Sequence, residues 1–413
     1  MRSLLEEFKP GARIYLPGAT GESLALSAAL QSDPARMAGV HAVSCTLPGI
    51  NDIDYAGLHE RAYSTVFLPG ATLRKSIAAG RIEVPPLSYT AIAKFLAEGP
   101  VFDLAIAHVS PPDAKGFCSL GIAADFSSIA WGNAKKRALI INPSMPSMQR
   151  GPRLGLDEAD IKVMADSPLI IAPAFRSSLL LEQIAAHIAE LIPDGAAIQL
   201  GIGGAPSAVW RHLASHRGLK LASGIVTEDI FTLAEKGALQ DGNDHLTGIA
   251  YGSPAFYQHL SETNLVGFGT AQQTHDFTRL ARLPKFTSIN AALEVDLLGQ
   301  VNSEWRQTHI VSGIGGAPDF MRAAAASAGG RSMIALPSVT NSESGPVSRI
   351  VPILSAPSVS ISRSETDTII TEFGVADLKG QGFEARAQAL IRIAAPEYRD
   401  ELAAAWHILR QKF

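Results

Sequence analysis

Short apolar runs alternate with helical patterns along the whole chain, and this alternation constrains the fold more than any other feature. Runs of four to seven mostly apolar residues are typical of strands buried on both faces, as in parallel sheets. They are Arg13–Leu16, Tyr63–Leu68, Asp103–Val109, Arg137–Ile141, Ala197–Leu200, Thr308–Val311 and Ser332–Leu336. Between them, helical spacing recurs, as in the apolar side of a helix formed by Leu180, Ile184, Ile188 and Leu191. The pattern predicts an α/β fold with mostly parallel sheets.

A weak internal repeat indicates two similar halves. Gly11–Gly18 is echoed by Gly195–Gly203, and each segment gives a Gly turn, a short apolar strand and a Gly-rich turn. A chain of 413 residues also exceeds the size of one compact core. We therefore predict two similar α/β domains, residues 1–185 and 186–413.

One antiparallel ribbon is predicted late in the chain. Val359 and Ile361 alternate with serines, Ser364–Asp367 is typical of a turn, and Thr368–Thr371 would return as the second strand.

Charge and cysteine content exclude several classes of protein. A net charge of −4 lacks the basic excess that phosphate binders usually carry, which argues against a nucleic-acid partner. Cys45 and Cys118 lie far apart and outside any metal-binding motif, which favours a reducing compartment. Acidic residues at Glu6 and Glu7 interrupt any signal-peptide core, and no apolar run is long enough to cross a membrane. We predict a cytoplasmic protein with no membrane partner.

Two glycine loops are candidate binding elements. The string Gly-Ile-Gly-Gly-Ala-Pro occurs at 201–206 and again at 313–318, each time after a predicted strand and before a helical stretch. Glycine lets a backbone approach a ligand closely, and a helix N-terminus offers free N–H groups to an anion. Neither loop has the nucleotide-binding G-x-G-x-x-G spacing or a following Walker lysine. The repetition favours a binding role over a simple tight connection.

Glu228 is the candidate nucleophile. Thr227-Glu228-Asp229 precedes the helical stretch Ile230–Lys236, so helix capping alone would account for these residue types. A carboxylate can also act as a covalent nucleophile where donors stabilise the developing charge. The residues by themselves leave both interpretations open.

The chain resembles the acetyl-CoA hydrolase/transferase group of the family I CoA-transferases, which includes 4-hydroxybutyrate and butyryl CoA-transferases. The resemblance covers almost the whole chain. It is carried by Val109-Ser-Pro-Pro-Asp113 with Gly116–Gly121, Asn142 with Met145-Pro146, Gln199–Pro206, Ser288–Val301, Ser312–Gly316 with Asp319-Phe320, and Thr371–Gly380 with Glu384-Ala-Arg386.

This resemblance implies a two-domain CoA-transferase (NagB/RpiA-like) fold and a reaction through a glutamyl-CoA thioester. Glu228 would be the catalytic glutamate. Backbone groups of Gly201, Gly203 and Gly204 would stabilise the oxyanion, with the Asn290 amide as a further donor. Acyl-CoA would be bound by the second loop, Gly313, Ile314, Gly315 and Gly316. The resemblance implies no metal and no permanently bound cofactor, with coenzyme A as substrate, a carboxylic acid as acceptor and a homodimer or larger homo-oligomer.

Three positions depart from the family pattern. In Gly224–Glu228, Val226 replaces the histidine that the family usually has in its G.HTE motif. Ala317-Pro318 replaces the glutamine region that follows the two glycines of the second loop, and Ala395 stands where the family commonly has Ala-His-Pro. Transfer to an acid, hydrolysis by the same glutamate and acyl-CoA binding without turnover therefore stay open. A sugar-phosphate isomerase is least favoured, because it would leave the second glycine loop unexplained.

Overall fold

Two large sheets organise the chain. The computed structural model describes residues 1–173, 177–242, 244–342 and 345–413. The first sheet is seven-stranded, in the order β4-β3-β2-β1-β5-β7-β9, and β6 pairs with β8 beside it. These strands are β1 Arg13–Tyr15, β2 His41–Ser44, β3 Tyr63–Val66, β4 Ile82–Glu83, β5 Phe102–Val109, β6 Phe117–Ser119, β7 Ala134–Ile141, β8 Arg153–Gly155 and β9 Ile161–Met164. Their helices are α1 Arg2–Leu5, α2 Leu24–Ser32, α3 Arg74–Ala78, α4 Tyr89–Glu98 and α5 Ser127–Gly132.

The second large sheet has the order β11-β10-β16-β21-β25-β26, and short ribbons surround it. The strands of this half are β10 Ala197–Leu200, β11 Lys220–Leu221, β12 Ile225–Val226, β13 Leu246–Thr247, β14 Ile249–Ala250, β15 Gly267–Phe268, β16 Thr287–Ala291, β17 Glu294–Asp296, β18 Val301–Asn302, β19 Trp305–Arg306, β20 His309–Ile310, β21 Arg331–Ala335, β22 Val339–Ser342, β23 Gly345–Ser348, β24 Ile350–Val351, β25 Thr368–Thr371 and β26 Gly374–Asp377. The helices are α6 Leu179–Glu190, α7 Gly204–His212, α8 Asp229–Glu235, α9 Pro254–Thr263, α10 Ala271–Thr274, α11 Phe277–Ala281, α12 Ala317–Ala326, α13 Phe383–Ile393 and α14 Arg399–Leu409.

The two sheets share a strand arrangement, which confirms the predicted α/β fold with mostly parallel sheets. In the first, β1 lies between β2 and β5 and runs parallel to both. In the second, β10 lies between β11 and β16, again in parallel. All four residues of β10 are buried, as expected for a strand covered on both faces.

The structure differs from the sequence prediction at two strands, one before the second glycine loop and one near the C-terminus. The predicted strand Thr308–Val311 is not part of the large sheet. Its residues 309–310 form β20, which pairs antiparallel with β19. This hairpin is partly exposed, whereas a strand in the centre of a parallel sheet is buried. The predicted partner of β25 is also wrong. β25 is fully buried and pairs with β21 and with the following strand β26, whereas Ile361 makes a single bridge to Val301.

The halves share one core at α6. The predicted division between residues 185 and 186 falls inside this helix, and the division stays a prediction. Ile184 of α6 lies in the same buried cluster as Val209 of α7, and that cluster also contains Leu139 of β7 and Ile198 of β10. The continuous apolar contact holds the halves against each other, which allows loops from both to form one site. Among the helices the structure describes, none has the length and apolar character needed to cross a membrane.

Candidate active site

The two glycine loops line one cavity of about 340 Å³ between the halves. The second half supplies Gly201 and Ile202 of the first loop and Gly313–Ala317 of the second. The first half supplies an apolar wall, from Leu47, Pro48 and Leu68 together with the ring of Tyr89. The structure thus brings together most of the residues predicted for the site.

The first loop turns sharply at the end of β10. The Gly201 N–H donates to the Ile289 carbonyl at 2.8 Å, which continues the sheet to the loop. A Cβ on Gly201 would lie 2.6 Å from Asn290 Oδ1, so only glycine leaves room for that amide. Gly203 has φ +139°, a backbone that favours glycine, and α7 begins at Gly204. Gly203 and Gly204 lie beside Ala291 and Leu181 rather than on the cavity wall.

Asn290 forms part of a fixed amide network on the cavity floor. Its Nδ2 donates to Gln199 Oε1 at 3.1 Å and to Ser288 Oγ at 3.0 Å, while its Oδ1 accepts from Gln199 Nε2 at 3.2 Å. Ser288 Oγ also donates to Gln199 Oε1 at 2.6 Å. Since both Nδ2 hydrogens already have acceptors, an oxyanion would have to compete for them. The sequence did not single out Gln199 as a member of the site.

The second loop is held against the first half of the chain. Gly315 bridges to Ser88, and the Tyr89 N–H donates to the Gly315 carbonyl at 3.3 Å. A Cβ on Gly313 would lie 2.0 Å from the Phe67 carbonyl oxygen, so the backbones touch there. The loop therefore closes over the cavity in this structure.

Asp319, in the first turn of α12, reinforces that contact. Its carboxylate accepts from Thr90 N at 3.1 Å, Thr90 Oγ1 at 2.6 Å and Ser88 Oγ at 3.0 Å. Burial raises the pKa of this carboxyl, and the three donors act in the opposite direction. These bonds join the helix that follows the second loop to the first half.

His275 is a cavity residue that sequence reasoning missed. Its ring lies between Tyr89 and Phe320, with centroids at 4.6 and 4.3 Å, and it is only 2% exposed. Burial lowers its pKa to about 3, with the charge of Arg279 adding to the effect, so the imidazole is neutral at pH 7. A lone histidine in the string Gln-Gln-Thr-His carries no recognisable motif, so sequence alone offered no signal.

Buried titratable groups lie behind Tyr89. Asp125 is 6% exposed, and burial raises its pKa to about 7. Among the described residues its Oδ2 has no hydrogen-bond partner. Burial also raises the pKa of the neighbouring Cys45 thiol and Tyr89 hydroxyl. These buried groups give this side of the cavity a low-dielectric wall.

Glu228, the glutamate predicted to be catalytic, does not line this cavity in the structure. It precedes α8, is exposed, and its Oε1 accepts the Ser253 N–H at 2.5 Å. It lines a separate open hollow of about 430 Å³ with Phe231, Ser253 and His259. The chain turns into α8 directly after β12, and the free N–H at the start of α9 attracts the carboxylate. Ile225 of β12 does line the loop cavity. The catalytic role of Glu228 stays a prediction.

Across the described ranges, no group of three or more His, Cys, Asp or Glu side chains could hold a metal ion.

Comparison with known proteins places this geometry in a family. Residues 252–406 match the acetyl-CoA hydrolase/transferase C-terminal domain. The chain is 30% identical over 400 residues to the 4-hydroxybutyrate coenzyme A transferase of Clostridium kluyveri, covering 95% of this chain and 92% of that protein. The crystal structure of RipA from Yersinia pestis superposes with a TM-score of 0.89 at 29% identity, covering 97% of this chain and 94% of that one. The 4-hydroxybutyrate CoA-transferase of Porphyromonas gingivalis gives a TM-score of 0.80 at 25% identity, covering 100% and 96%. The chain therefore belongs to the acetyl-CoA hydrolase/transferase family of CoA-transferases.

Proposed function

We propose that this protein transfers coenzyme A from a short-chain acyl-CoA to a small carboxylic acid, with the thioester held in the loop cavity. The observation that supports this most is the cavity itself, which both halves form and both glycine loops line. Its apolar wall suits an acyl chain, and backbone N–H groups of glycine loops suit a carbonyl oxygen that gains charge.

The proposed reaction is an exchange in two halves. An oxygen of the Glu228 carboxylate bonds to the thioester carbonyl carbon, and the carbon–sulfur bond breaks, giving an acyl-glutamyl anhydride and CoA thiolate. The thiolate sulfur then bonds to the glutamyl carbonyl carbon, and the first acid leaves as its carboxylate. A second carboxylate repeats these steps in reverse, so no proton, electron or nucleotide is consumed.

Glu228 has to turn toward the cavity for this reaction. Ile225, three residues before Glu228, lines the cavity. Three residues of extended backbone span about 10 Å, which is the largest separation between the Cα atoms of Ile225 and Glu228. The carboxylate would release the Ser253 N–H, and the segment between Ile225 and Glu228 would have to shift with it, because the side chain alone is too short to span that distance. The hydrogen bond that it gives up is partly exposed, which keeps the cost at about 1–2 kcal/mol.

Oxyanion stabilisation is assigned to the start of α7. The Gly201 N–H is already bonded to the Ile289 carbonyl, so it is not a free donor. The Gly203 and Gly204 N–H groups follow at the N-terminus of α7, and because neither residue lines the cavity in this structure, the loop would have to turn them toward the thioester. One such donor is typically worth about 3 kcal/mol of transition-state stabilisation.

The second loop would keep water from the intermediates. The contacts of this loop with Phe67 and Ser88, and of Asp319 in the following helix with Thr90, close the cavity on the side of the first half. Exclusion of water favours transfer over hydrolysis, because water is the competing acceptor. The reaction is assigned to the cytoplasm, since Cys45 and Cys118 are buried free thiols.

The test is Glu228→Gln, assayed with a panel of acyl-CoA donors and carboxylic acids. We expect a loss of about a thousandfold or more, since the residue forms the covalent intermediate. Intact mass of the unaltered protein incubated with acyl-CoA should show a CoA adduct that the variant lacks. Asp229→Asn, the next carboxylate along α8, is the matched control and should transfer normally.

Each other outcome has a distinct meaning. Full transfer by Glu228→Gln would remove Glu228 from the mechanism. Thiol release by the unaltered protein at the same rate with and without acceptor acid would indicate a hydrolase. Binding of acyl-CoA with no thiol release across the whole panel would contradict the proposed transfer and indicate a CoA-ester-binding protein.

A further inference from the structure

A hollow of about 890 Å³, called here the basic hollow, is separated from the loop cavity by α10. Thr270 and Gln273, at the start of α10 and within it, line the basic hollow. His275, directly after α10, lines the loop cavity instead. Among the described residues, none lines both spaces. The basic hollow is therefore distinct from the cavity proposed to hold the thioester.

Three cationic side chains from different segments line the basic hollow. Arg150 lies between β7 and β8, Lys220 begins β11, and Arg279 belongs to α11. All three residues are partly buried. Asp244 is the only carboxylate among the described lining residues, and its side chain is 70% exposed. Three cationic groups thus share the hollow with one anionic group.

Backbone carbonyls hold the two guanidinium groups in place. Arg150 Nη2 donates to the His245 carbonyl at 3.1 Å. Arg279 Nε donates to the Gln273 carbonyl at 2.9 Å, and its Nη2 donates to the Thr274 carbonyl at 3.2 Å. A guanidinium group has five N–H donors, so the two carbonyls fix Arg279 and leave it further N–H groups for a ligand.

Asp244 shows that a carboxylate is stabilised in the basic hollow. Its Oδ2 lies 3.0 Å from Lys220 Nζ. The hydrogen bond and charge of Lys220 lower the pKa of the Asp244 carboxyl, and the charge of Arg150 acts in the same direction. The cationic groups would stabilise the carboxylate or phosphate group of a ligand for the same reason.

Apolar side chains form another part of the wall. Leu246, Phe268 and Leu283 line the hollow together with the cationic groups. Small-molecule sites typically combine an apolar wall with a few polar groups that fix the orientation of the ligand. The lining therefore suits an organic anion better than a bare inorganic ion.

We propose that the basic hollow binds a small organic dianion, a phosphate monoester or a dicarboxylate on an apolar body, with its charged group on Arg150, Lys220 and Arg279. The planar guanidinium forks and the lysine point charge both suit anionic oxygens. The assignment does not rest on the proposed function, since neither the glycine loops nor Glu228 lines this hollow.

The experiment measures equilibrium binding to the full chain by calorimetry at low ionic strength, because salt screens exposed charges. The probes are phenyl phosphate and phthalate, which carry a phosphate group or two carboxylates on a ring, and inorganic phosphate, which has no apolar body. Each probe is titrated with and without an excess of CoA. We expect at least one organic anion to bind more tightly than inorganic phosphate and to keep its Kd when CoA is present.

Two variants change the affinity in opposite directions. Lys220→Gln should raise the Kd of the organic anion about tenfold, because it removes a charge-assisted contact. Asp244→Asn should lower that Kd about threefold, because it removes the carboxylate that competes for Lys220. Asp33→Asn is the matched control. It removes an exposed carboxylate that lies 3.0 Å from Arg36 in the first half, and it should leave the Kd unchanged.

Several outcomes would overturn the assignment. They are no binding of either organic anion at millimolar concentration, inorganic phosphate binding as tightly as both, and an unchanged Kd in both Lys220→Gln and Asp244→Asn. Equal tightening by Asp33→Asn and Asp244→Asn would reflect net charge alone, and loss of binding on addition of CoA would place the anion at the CoA site. Either result would also overturn the assignment. The expected pattern in a protein without transfer activity would uphold the basic hollow and contradict the proposed function.

Discussion

The same six residues, Gly-Ile-Gly-Gly-Ala-Pro, stand at 201–206 and at 313–318, yet the two loops have different neighbours. Both lead into a helix, α7 in one case and α12 in the other. The first leaves Ile202 47% exposed. In the second, Gly313 is pressed against Phe67 of the first half.

The difference extends to matched positions of the string. A Cβ on Gly204 would meet the end of the flexible Leu181 side chain at 3.1 Å. A Cβ on Gly316, the matched position, would meet the ring of buried His275 at 2.3 Å. The string specifies a turn and a helix start, whereas the contacts across the cavity decide which loop is open and which is closed.

Gly316→Ala is the sharpest way to break this comparison. The ring of His275 has no space to retreat, so we expect a loss of about 3 kcal/mol in the free energy of unfolding and about a hundredfold in transfer rate. Urea denaturation and the transfer assay measure the two effects. Gly204→Ala should change the free energy of unfolding by less than about 1 kcal/mol. Equal effects of the two substitutions would show that the loops are equivalent.

Acid should weaken the second loop through His275. The unfolded imidazole takes up a proton below pH 6.5, whereas the buried ring does so only near pH 3. Between these values the unfolded state binds more protons, so the free energy of unfolding falls as the pH falls. The expected loss from pH 7 to pH 5 is about 2 kcal/mol from this residue.

The variant His275→Gln isolates that contribution. The pKa values of the buried His108 and the partly buried His41 are also lowered, so these two residues contribute to the pH dependence of the unaltered protein's stability as well. Denaturant titrations of both proteins at pH 7, 6 and 5 should therefore give a shallower slope for His275→Gln. Parallel slopes would contradict a neutral buried His275.

Asp319→Asn should have the smallest effect. The position directly after the string is Asp319 in the second loop and Ser207 in the first. An amide keeps one acceptor oxygen for Ser88 and Thr90 but loses the charge, so we expect a loss of about 1 kcal/mol in the free energy of unfolding. Ser207→Asn should leave stability within about 0.5 kcal/mol. If Asp319→Asn left the free energy of unfolding unchanged, the backbone contacts alone would hold the loop against the first half.

Much of the fold could be predicted because local patterns determine it. β10 has the predicted bounds, and α6 forms where the apolar period of Leu180, Ile184 and Ile188 predicts a helix. A helix with one buried side, or a strand buried on both faces, needs apolar residues at a fixed spacing within a short stretch. The sequence therefore shows these elements directly. The strand before the second loop was misplaced, because a short apolar run does not say which partner it pairs with.

The residues of the candidate site also divide into those that the sequence predicted and those that it did not. Gly201, Asn290 and Gly313–Gly316 were predicted and lie on one cavity. His275 was not predicted, since it comes from a distant segment that meets the other residues of the site only across the cavity.

By itself the sequence determined two similar α/β halves, the positions of both glycine loops and membership of a CoA-transferase family, because apolar periodicity and contiguous motifs are local properties. Only the tertiary structure decided that the second loop closes on the first half, and that the Glu228 carboxylate turns to the Ser253 N–H instead of the cavity. Those arrangements depend on groups far apart in the chain, and a side chain turns toward whichever donor the folded backbone brings within reach.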